Sequence, residues 1–247
     1  MLRAPLESLC LRVKSMRIPC VDTILKGALD PPEYRAVRNT SVMLRVIGAL
    51  KLDKEDWTPL GSHLANIPVD PRLGKMLLYA VMFQCLDPIL TIASSIGFRN
   101  PFTMPLNEKH AADREKQFLA GGMPSDHAAA PCAYNRSREG GGKRFARQFY
   151  LSHPTLKMID DMKMQFISIL TDAGFISSAE SDANLNFNAD NWPLVKGVLV
   201  AGLCPSVARV NFGRNRVILF TINYGAVKVP PGSVNNVHPT PIIHIAG

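Results

Sequence analysis

The segment that decides the fold runs from Thr58 to Ala93. It opens Thr58-Pro59-Leu60-Gly61, continues through Val69-Asp70-Pro71-Arg72-Leu73-Gly74-Lys75-Met76-Leu77, and closes Cys85-Leu86-Asp87-Pro88-Ile89-Leu90-Thr91-Ile92-Ala93. A Thr-Pro or Asp-Pro pair sets a capping side chain just ahead of a proline that suits the first helical turn. Thr58-Pro59 therefore predicts a short helix through Ala65. The two Asp-Pro pairs predict helices over about 71–85 and 88–96. Both are too apolar for a surface helix and belong in the middle of a bundle.

Upstream, Asp30, Pro31 and Glu33 have the spacing of a capping box, which predicts a helix over 31–48. Ala36, Thr40, Met43, Leu44 and Ile47 fall on one face and Gly48 is its stop. Ala49 to Leu52, a polar turn from Asp53 to Asp56, and Trp57-Thr58 predict a small hairpin, so the first part resembles a winged helix. Downstream, Asn107 is expected to cap a charged helix that ends at Gly121-Gly122. Ser125 or Asp126 caps the next, and Pro131 is expected to interrupt it after one turn. Arg136 to Gly142 is expected to be a loop. Pro154 opens the longest helix, with Leu156, Ile159, Lys163, Phe166, Leu170 and Ala173 on one stripe. Residues 177–189 have the polarity of a linker, and Asp190 starts a last helix ended by Gly202. The period then changes to two. Val207 to Val210, Arg216 to Thr221 and Ala226 to Val229 predict strands of a small antiparallel β-domain. The fold class is mainly α with a small all-β part.

The chain has 247 residues, 47% of them apolar and 19% charged, which excludes a disordered tail and a coiled coil. The formal net charge is +8, with two concentrations. One is Arg136, Arg138, Lys143, Arg144 and Arg147 around Glu139. The other is the acid-free stretch after Asp190, with Lys196, Arg209, Arg214, Arg216 and Lys228. Such stripes suit phosphates. The cysteines are Cys10, Cys20, Cys85, Cys132 and Cys204. Their spacing predicts neither a disulfide framework nor a zinc site, but reduced thiols in a cytoplasmic or nuclear protein. No apolar run reaches a membrane span, and Arg3, Glu7 and Arg12 argue against a signal peptide. The chain has no phosphate-loop motif, no G-x-G-x-x-G, no H-E-x-x-H and no G-x-S-x-G. Asp126-His127 is the one acid–imidazole pair in a small-residue setting, and neighbours on a helix do not face each other.

Several segments together resemble the C-terminal region of DEAH/RHA-type ATP-dependent RNA helicases, closest to the RHA branch with its YTH-domain-containing members. They are Val69 to Leu77, preceded by Thr58 to Gly61; Arg3-Ala4-Pro5-Leu6-Glu7; Ala28-Leu29-Asp30-Pro31-Pro32; Cys85 to Ala93; and Arg99-Asn100-Pro101-Phe102. Ser125-Asp126-His127, Asn191-Trp192 and Pro231-Gly232-Ser233-Val234-Asn235 complete the ordered set. The resemblance implies a winged-helix domain at 1–68, a helical ratchet (helicase-associated) domain at 69–182, and an incomplete OB-like domain at 183–247. It further implies an RNA-binding accessory region that contacts and gates single-stranded, sequence-tolerant RNA. RecA-like core domains in cis would hydrolyse ATP with Mg2+; this chain lacks the ATPase motifs and is not expected to be catalytic alone. Protein activators or adaptors are further possible partners, and no membrane is expected. Asp126, His127, Tyr134, Lys163 and Gln165 match family positions near RNA. Arg209, Arg214, Arg216 and Lys228 are placed to track phosphates, and Phe212 and Tyr224 are the stacking candidates. The family's last strand, with its Trp and Tyr, has no match in Ile242 to Ile245, as expected of a fragment, a truncated gene or a degenerate relative. The alternative is a motor-less helicase relative acting as a protein-interaction scaffold in RNA regulation. DNA recognition by Arg35, Arg38 and Arg45 is disfavoured, because they do not form one stripe.

Overall fold

The computed structural model describes residues 6–16, 21–52, 56–123, 125–177, 179–212, 217–221, 225–230, 232–236 and 242–244. In chain order the helices are α1 (Leu6–Ser15), α2 (Val21–Lys26), α3 (Tyr34–Ile47), α4 (Pro59–Asn66), α5 (Pro71–Met82) and α6 (Leu86–Gly97). They continue as α7 (Lys109–Leu119), α8 (Asp126–Glu139), α9 (Lys143–Gln148), α10 (His153–Asp172), α11 (Asp182–Leu185) and α12 (Trp192–Leu203). Among the described residues four strands follow: β1 (Val207–Phe212), β2 (Val217–Thr221), β3 (Gly225–Val227) and β4 (Ile242–His244). The chain is thus mainly helical with a small antiparallel sheet.

The Thr58 to Gly61 motif has a physical explanation. Thr58 Oγ1 accepts from the Gly61 N–H at 3.0 Å and donates to the Gly48 carbonyl at 2.5 Å. It thereby caps α4 and ties it to the end of α3. A Cβ on Gly61 would lie 2.0 Å from the Ala49 carbonyl oxygen, so only glycine fits. Among the described residues the expected hairpin shows one bridge, Leu50 to Trp57, flanked by Lys51 N–H to Asp56 O at 2.9 Å, while Asp53 to Glu55 of its expected turn lie outside the described residues. The helix expected over 31–48 starts later, at Tyr34, after Glu33, which makes no side-chain cap bond. Asp30 and Pro31 each precede a proline, and a residue before proline is pushed out of the helical region.

Asp70 caps α5 as expected, accepting from the Arg72 N–H at 2.9 Å. Asp87 does not cap α6: the helix starts at Leu86 and Pro88 sits within its first turn, where no N–H is required. That leaves the Asp87 carboxylate free for a distant partner. α5 packs between α6 and α12. A Cβ on Gly202 of α12 would lie 2.6 Å from Met76 Cβ, so this contact is nearly backbone to backbone. One continuous apolar core runs from Leu6 in α1 through α5 and α6 to Leu203 in α12.

Three further expectations are corrected. α8 runs unbroken for 14 residues through Pro131, although the proline lacks the N–H that would reach the His127 carbonyl. Ala128, Ala129, Ala130 and Ala133 are buried, and these small side chains let α8 lie close to α6, which outweighs the local penalty. Arg136 to Glu139 is helical, not loop, and the turn is confined to Gly140–Gly142. Of the polar stretch expected as a linker over 177–189, residues 179–184 are exposed, but 185–189 form a packed strap. Leu185 is buried in the main core, Asn186 Oδ1 accepts from the Asp87 N–H at 2.6 Å, and the Asn188 N–H donates to the Gln84 carbonyl at 2.8 Å.

The sheet order is β3-β2-β1-β4, all antiparallel. Ala208, Val210 and Leu219 are buried on one face with Val227 and Val229 against them. Arg209, Phe220 and Ala226 lie in cross-strand register on the opposite face, where all three are exposed, as are Asn211 and Lys228.

Candidate nucleic-acid interface

A groove of about 1050 Å³ opens where α1, α4, α5, α6 and α10 meet the inner face of the sheet. Its polar wall includes Arg12 of α1, Arg72 of α5, Gln165 of α10 and Thr221 of β2. Phe98, 55% exposed, stands at its edge. Asp70 holds the Arg72 Nε at 3.3 Å. A glutamine amide both donates and accepts, and the guanidinium groups only donate, so the groove can take an anionic ligand carrying acceptors.

The two α10 candidates separate. Gln165 is exposed and lines this groove. Lys163, two residues away and on another side of the helix, is buried. Its ammonium lies 2.5 Å from Asp87 Oδ1 and 4.4 Å from the centroid of the Tyr134 ring. Tyr134 is 3% exposed, and its hydroxyl donates to Asp160 and accepts from Arg138 Nη1 at 3.3 Å. Burial, then the Asp160 bond, push the phenol up to about 12. Lys163, Asp87, Tyr134 and Asp160 thus form an internal network that locks α6, α8 and α10 together.

Asp126 has a comparable internal role. One carboxylate oxygen takes Lys116 Nζ and, at 3.1 Å, the Val234 N–H; the other takes the Ser233 hydroxyl. Lys116, 9% exposed, also donates to the Gly232 carbonyl at 3.0 Å. These bonds clamp the segment after β3 onto α7 and the start of α8, with Val234 packed among Ala120, Ala129 and Phe102. Burial would raise the Asp126 carboxyl, but the Lys116 charge and the bonds from Lys116, Ser233 and Val234 outweigh it and hold it below the usual carboxylate range. Burial lowers the neighbouring His127, against the attraction of Asp126.

Of the remaining candidates, Arg209 and Lys228 are displayed on the outer face of the sheet, whereas Thr221 and Val227 of the inner face border the groove. The structure therefore does not bring Gln165 together with Arg209 and Lys228. Arg214, Arg216 and Tyr224 lie outside the described residues, as does the Phe212 side chain. Two features escaped the sequence reading. Phe220, 50% exposed and opposite Arg209, is a ring available for stacking; its place in an apolar strand concealed it. Lys116 is an internal ion-pair partner; its charged helix gave no sign of that. Among the described residues no group of three or more His, Cys, Asp or Glu is placed to hold a metal ion, and no helix is long and apolar enough to cross a membrane.

Residues 70–147 match the helicase associated domain (HA2), ratchet-like. Almost the whole chain aligns with known helicases. The DExH-box ATP-dependent RNA helicase DExH1 of Arabidopsis thaliana is 42% identical over 238 residues, covering 95% of this chain and 24% of that protein. The human ATP-dependent DNA/RNA helicase DHX36 is 41% identical over 245 residues, with 95% and 24% covered. The human ATP-dependent RNA helicase DHX29 is 35% identical over 253 residues, with 95% and 18% covered. The chain fits the C-terminal region of a DEAH/RHA-type RNA helicase. This helicase accessory region spans about a quarter or less of the length of these relatives. Its HA2 part takes in α5 to α8 and most of α9, which contain Asp87, Lys116, Asp126 and Tyr134. The two internal networks are thus anchored in the helicase-associated domain, and Gln165 stands just beyond it on α10.

Proposed function

We propose that this accessory region contacts and guides single-stranded RNA, while RecA-like domains of a longer chain bind ATP with Mg2+ and drive movement. One observation carries the reading. Gln165, the α10 candidate left at the surface, lines a groove shared by the first helices, the ratchet helices and the sheet. A strand lying there would touch all three parts at once. In this proposal the first part is a winged helix, the sheet is OB-like, and Arg209, Phe220 and Lys228 form a platform for the strand where it leaves the groove. Arg214 and Arg216 belong to the same basic segment. Asp126, His127, Tyr134 and Lys163 act as positioning residues that hold the groove walls. Contact is mainly to the backbone and tolerant of sequence.

The chain has no phosphate-loop motif to cradle ATP, so no step of hydrolysis is assigned to its residues. Protein activators, and a cytoplasmic or nuclear site of action, go with the same reading. Fluorescence anisotropy with a single-stranded RNA oligonucleotide tests it. Gln165→Glu and Arg209→Glu should each weaken binding in a folded chain, and Phe220→Ala should weaken it about tenfold, the effect of one lost stacking contact. Unchanged affinity in all three overturns the reading.

The scaffold alternative is favoured by one surface. Met82, Phe83 and Phe187 are 71%, 44% and 78% exposed where the 185–189 strap meets the end of α5. An exposed apolar patch of this kind suits a protein partner.

A further inference from the structure

Arg72 stands in the first turn of α5 and borders the groove. Asp70 Oδ1 accepts from the Arg72 backbone N–H at 2.9 Å and from its Nε at 3.3 Å. One carboxylate oxygen thus caps the helix and holds the guanidinium. Among the described residues the Arg72 side chain has no other hydrogen-bond partner, so its terminal nitrogens keep their donors for a ligand. Asp70 is the one acid among the described lining residues, and its charge is met by Arg72, while Arg12 adds a second cation. Phe98 directly follows α6. A Cβ on Gly97 would lie 2.9 Å from Leu73 Cδ1. The end of α6 therefore lies against the first turn of α5, and Phe98 and Arg72 flank that contact at the groove. Of the two rings among the lining residues, Phe166 is 1% exposed and Phe98 is 55% exposed. Among the described residues Phe98 stacks on no other ring.

We infer that Arg72 and Phe98 form one nucleotide subsite of the groove. The guanidinium takes a phosphate of the strand, the ring stacks on an adjacent base, and Asp70 is the positioning residue for Arg72. This rests on the proposal that single-stranded RNA lies in the groove, and it says how the groove grips the strand. A planar guanidinium with terminal donors suits phosphate oxygens, and an exposed ring takes the face of any base. The subsite therefore holds the strand without reading its sequence. An acidic peptide would meet Arg72 but offer Phe98 no base to stack on.

The test follows a fluorescent oligouridine 12-mer on the full 247-residue chain through a salt series, about 12 nucleotides being within the range one such site engages. Arg72→Gln should lower the slope of log K against log salt by about 0.7, the share of one phosphate contact on a single strand. Arg72→Lys keeps the charge and should keep the slope. Phe98→Ala should weaken binding about tenfold and leave the slope unchanged. Asp70→Ser keeps a capping hydroxyl but is too short to hold Nε. Its effect on affinity should be about threefold worse with Arg72 present than in the Arg72→Gln background, the cost of ordering one long side chain. Circular dichroism should show unchanged folding for Arg72→Gln and Phe98→Ala. Where Gln165→Glu weakens binding, an unchanged slope in Arg72→Gln or an unchanged affinity in Phe98→Ala overturns the inference and leaves the groove standing. Additive effects of Asp70→Ser and Arg72→Gln overturn the positioning role. Unchanged affinity in Gln165→Glu, Arg209→Glu and Phe220→Ala instead overturns the reading on which the subsite rests.

Discussion

Truncating Asp126 to alanine should destabilise the chain by about 3 kcal/mol without removing RNA binding. The perturbation leaves the Lys116 ammonium, whose side chain is 11% exposed, without its counter-charge, facing the Gly232 carbonyl at 3.0 Å and the Phe102 ring at 5.5 Å. Breaking one partner of a buried ion pair costs about 3–5 kcal/mol. Asp126 is itself 30% exposed, which places the effect at the lower end. Ser233→Ala removes one hydrogen bond to a charged group and should cost about 1.5 kcal/mol. Urea unfolding followed by the fluorescence of Trp57 and Trp192 measures both. A double-mutant cycle of Asp126→Ala with Lys116→Met should give a coupling of about 2 kcal/mol, because the methionine removes the stranded charge. Hydrogen exchange at the Val234 amide, bonded to Asp126, should quicken in Asp126→Ala. A loss below about 1 kcal/mol, or a coupling near zero, refutes the clamp.

Asp87→Ala should destabilise the chain more than Lys163→Met, because it strands the buried ammonium, whereas Asp87 is 39% exposed and can be rehydrated; equal losses in urea unfolding contradict the network. Gly202→Ala should cost about 1–3 kcal/mol by forcing α12 off Met76; a neutral effect on the melting temperature contradicts the close approach. Acidification should lower the melting temperature in two steps. His127 has a lowered folded value, so the unfolded chain binds the extra proton and stability falls below pH about 6.5. Asp126 is also lowered, so its contribution, present above pH about 3.9, is lost as pH falls through its folded value. His127→Gln should remove the first step, and a melting curve flat from pH 7 to 5 contradicts it.

Much of the fold was legible because its signals are local. Thr58-Pro59, Asp70-Pro71 and the stripe from Leu156 to Leu170 each depend on residues within a few turns. The errors came where distant packing overrides local preference. Pro131 stays helical because α6 receives its alanine neighbours, and the 185–189 segment is a strap because Leu185 and two asparagines find partners about 100 residues away. The site was less legible for the same reason. Asp126 and Lys163 carry charges that look available in one dimension. Their partners, Lys116, Ser233 and Asp87, are set by tertiary placement. Gln165 and Phe220 offer the reverse case: one amide and one apolar ring gain importance only from the groove and the sheet face that display them.

The most direct test of RNA guidance is photo-crosslinking of a single-stranded oligonucleotide carrying 4-thiouridine, with the attached peptides mapped by mass spectrometry. Crosslinks are expected on the α10 peptide containing Gln165 and on the strand containing Phe220, both lost at high salt. A bound oligonucleotide that crosslinks to neither peptide contradicts RNA guidance.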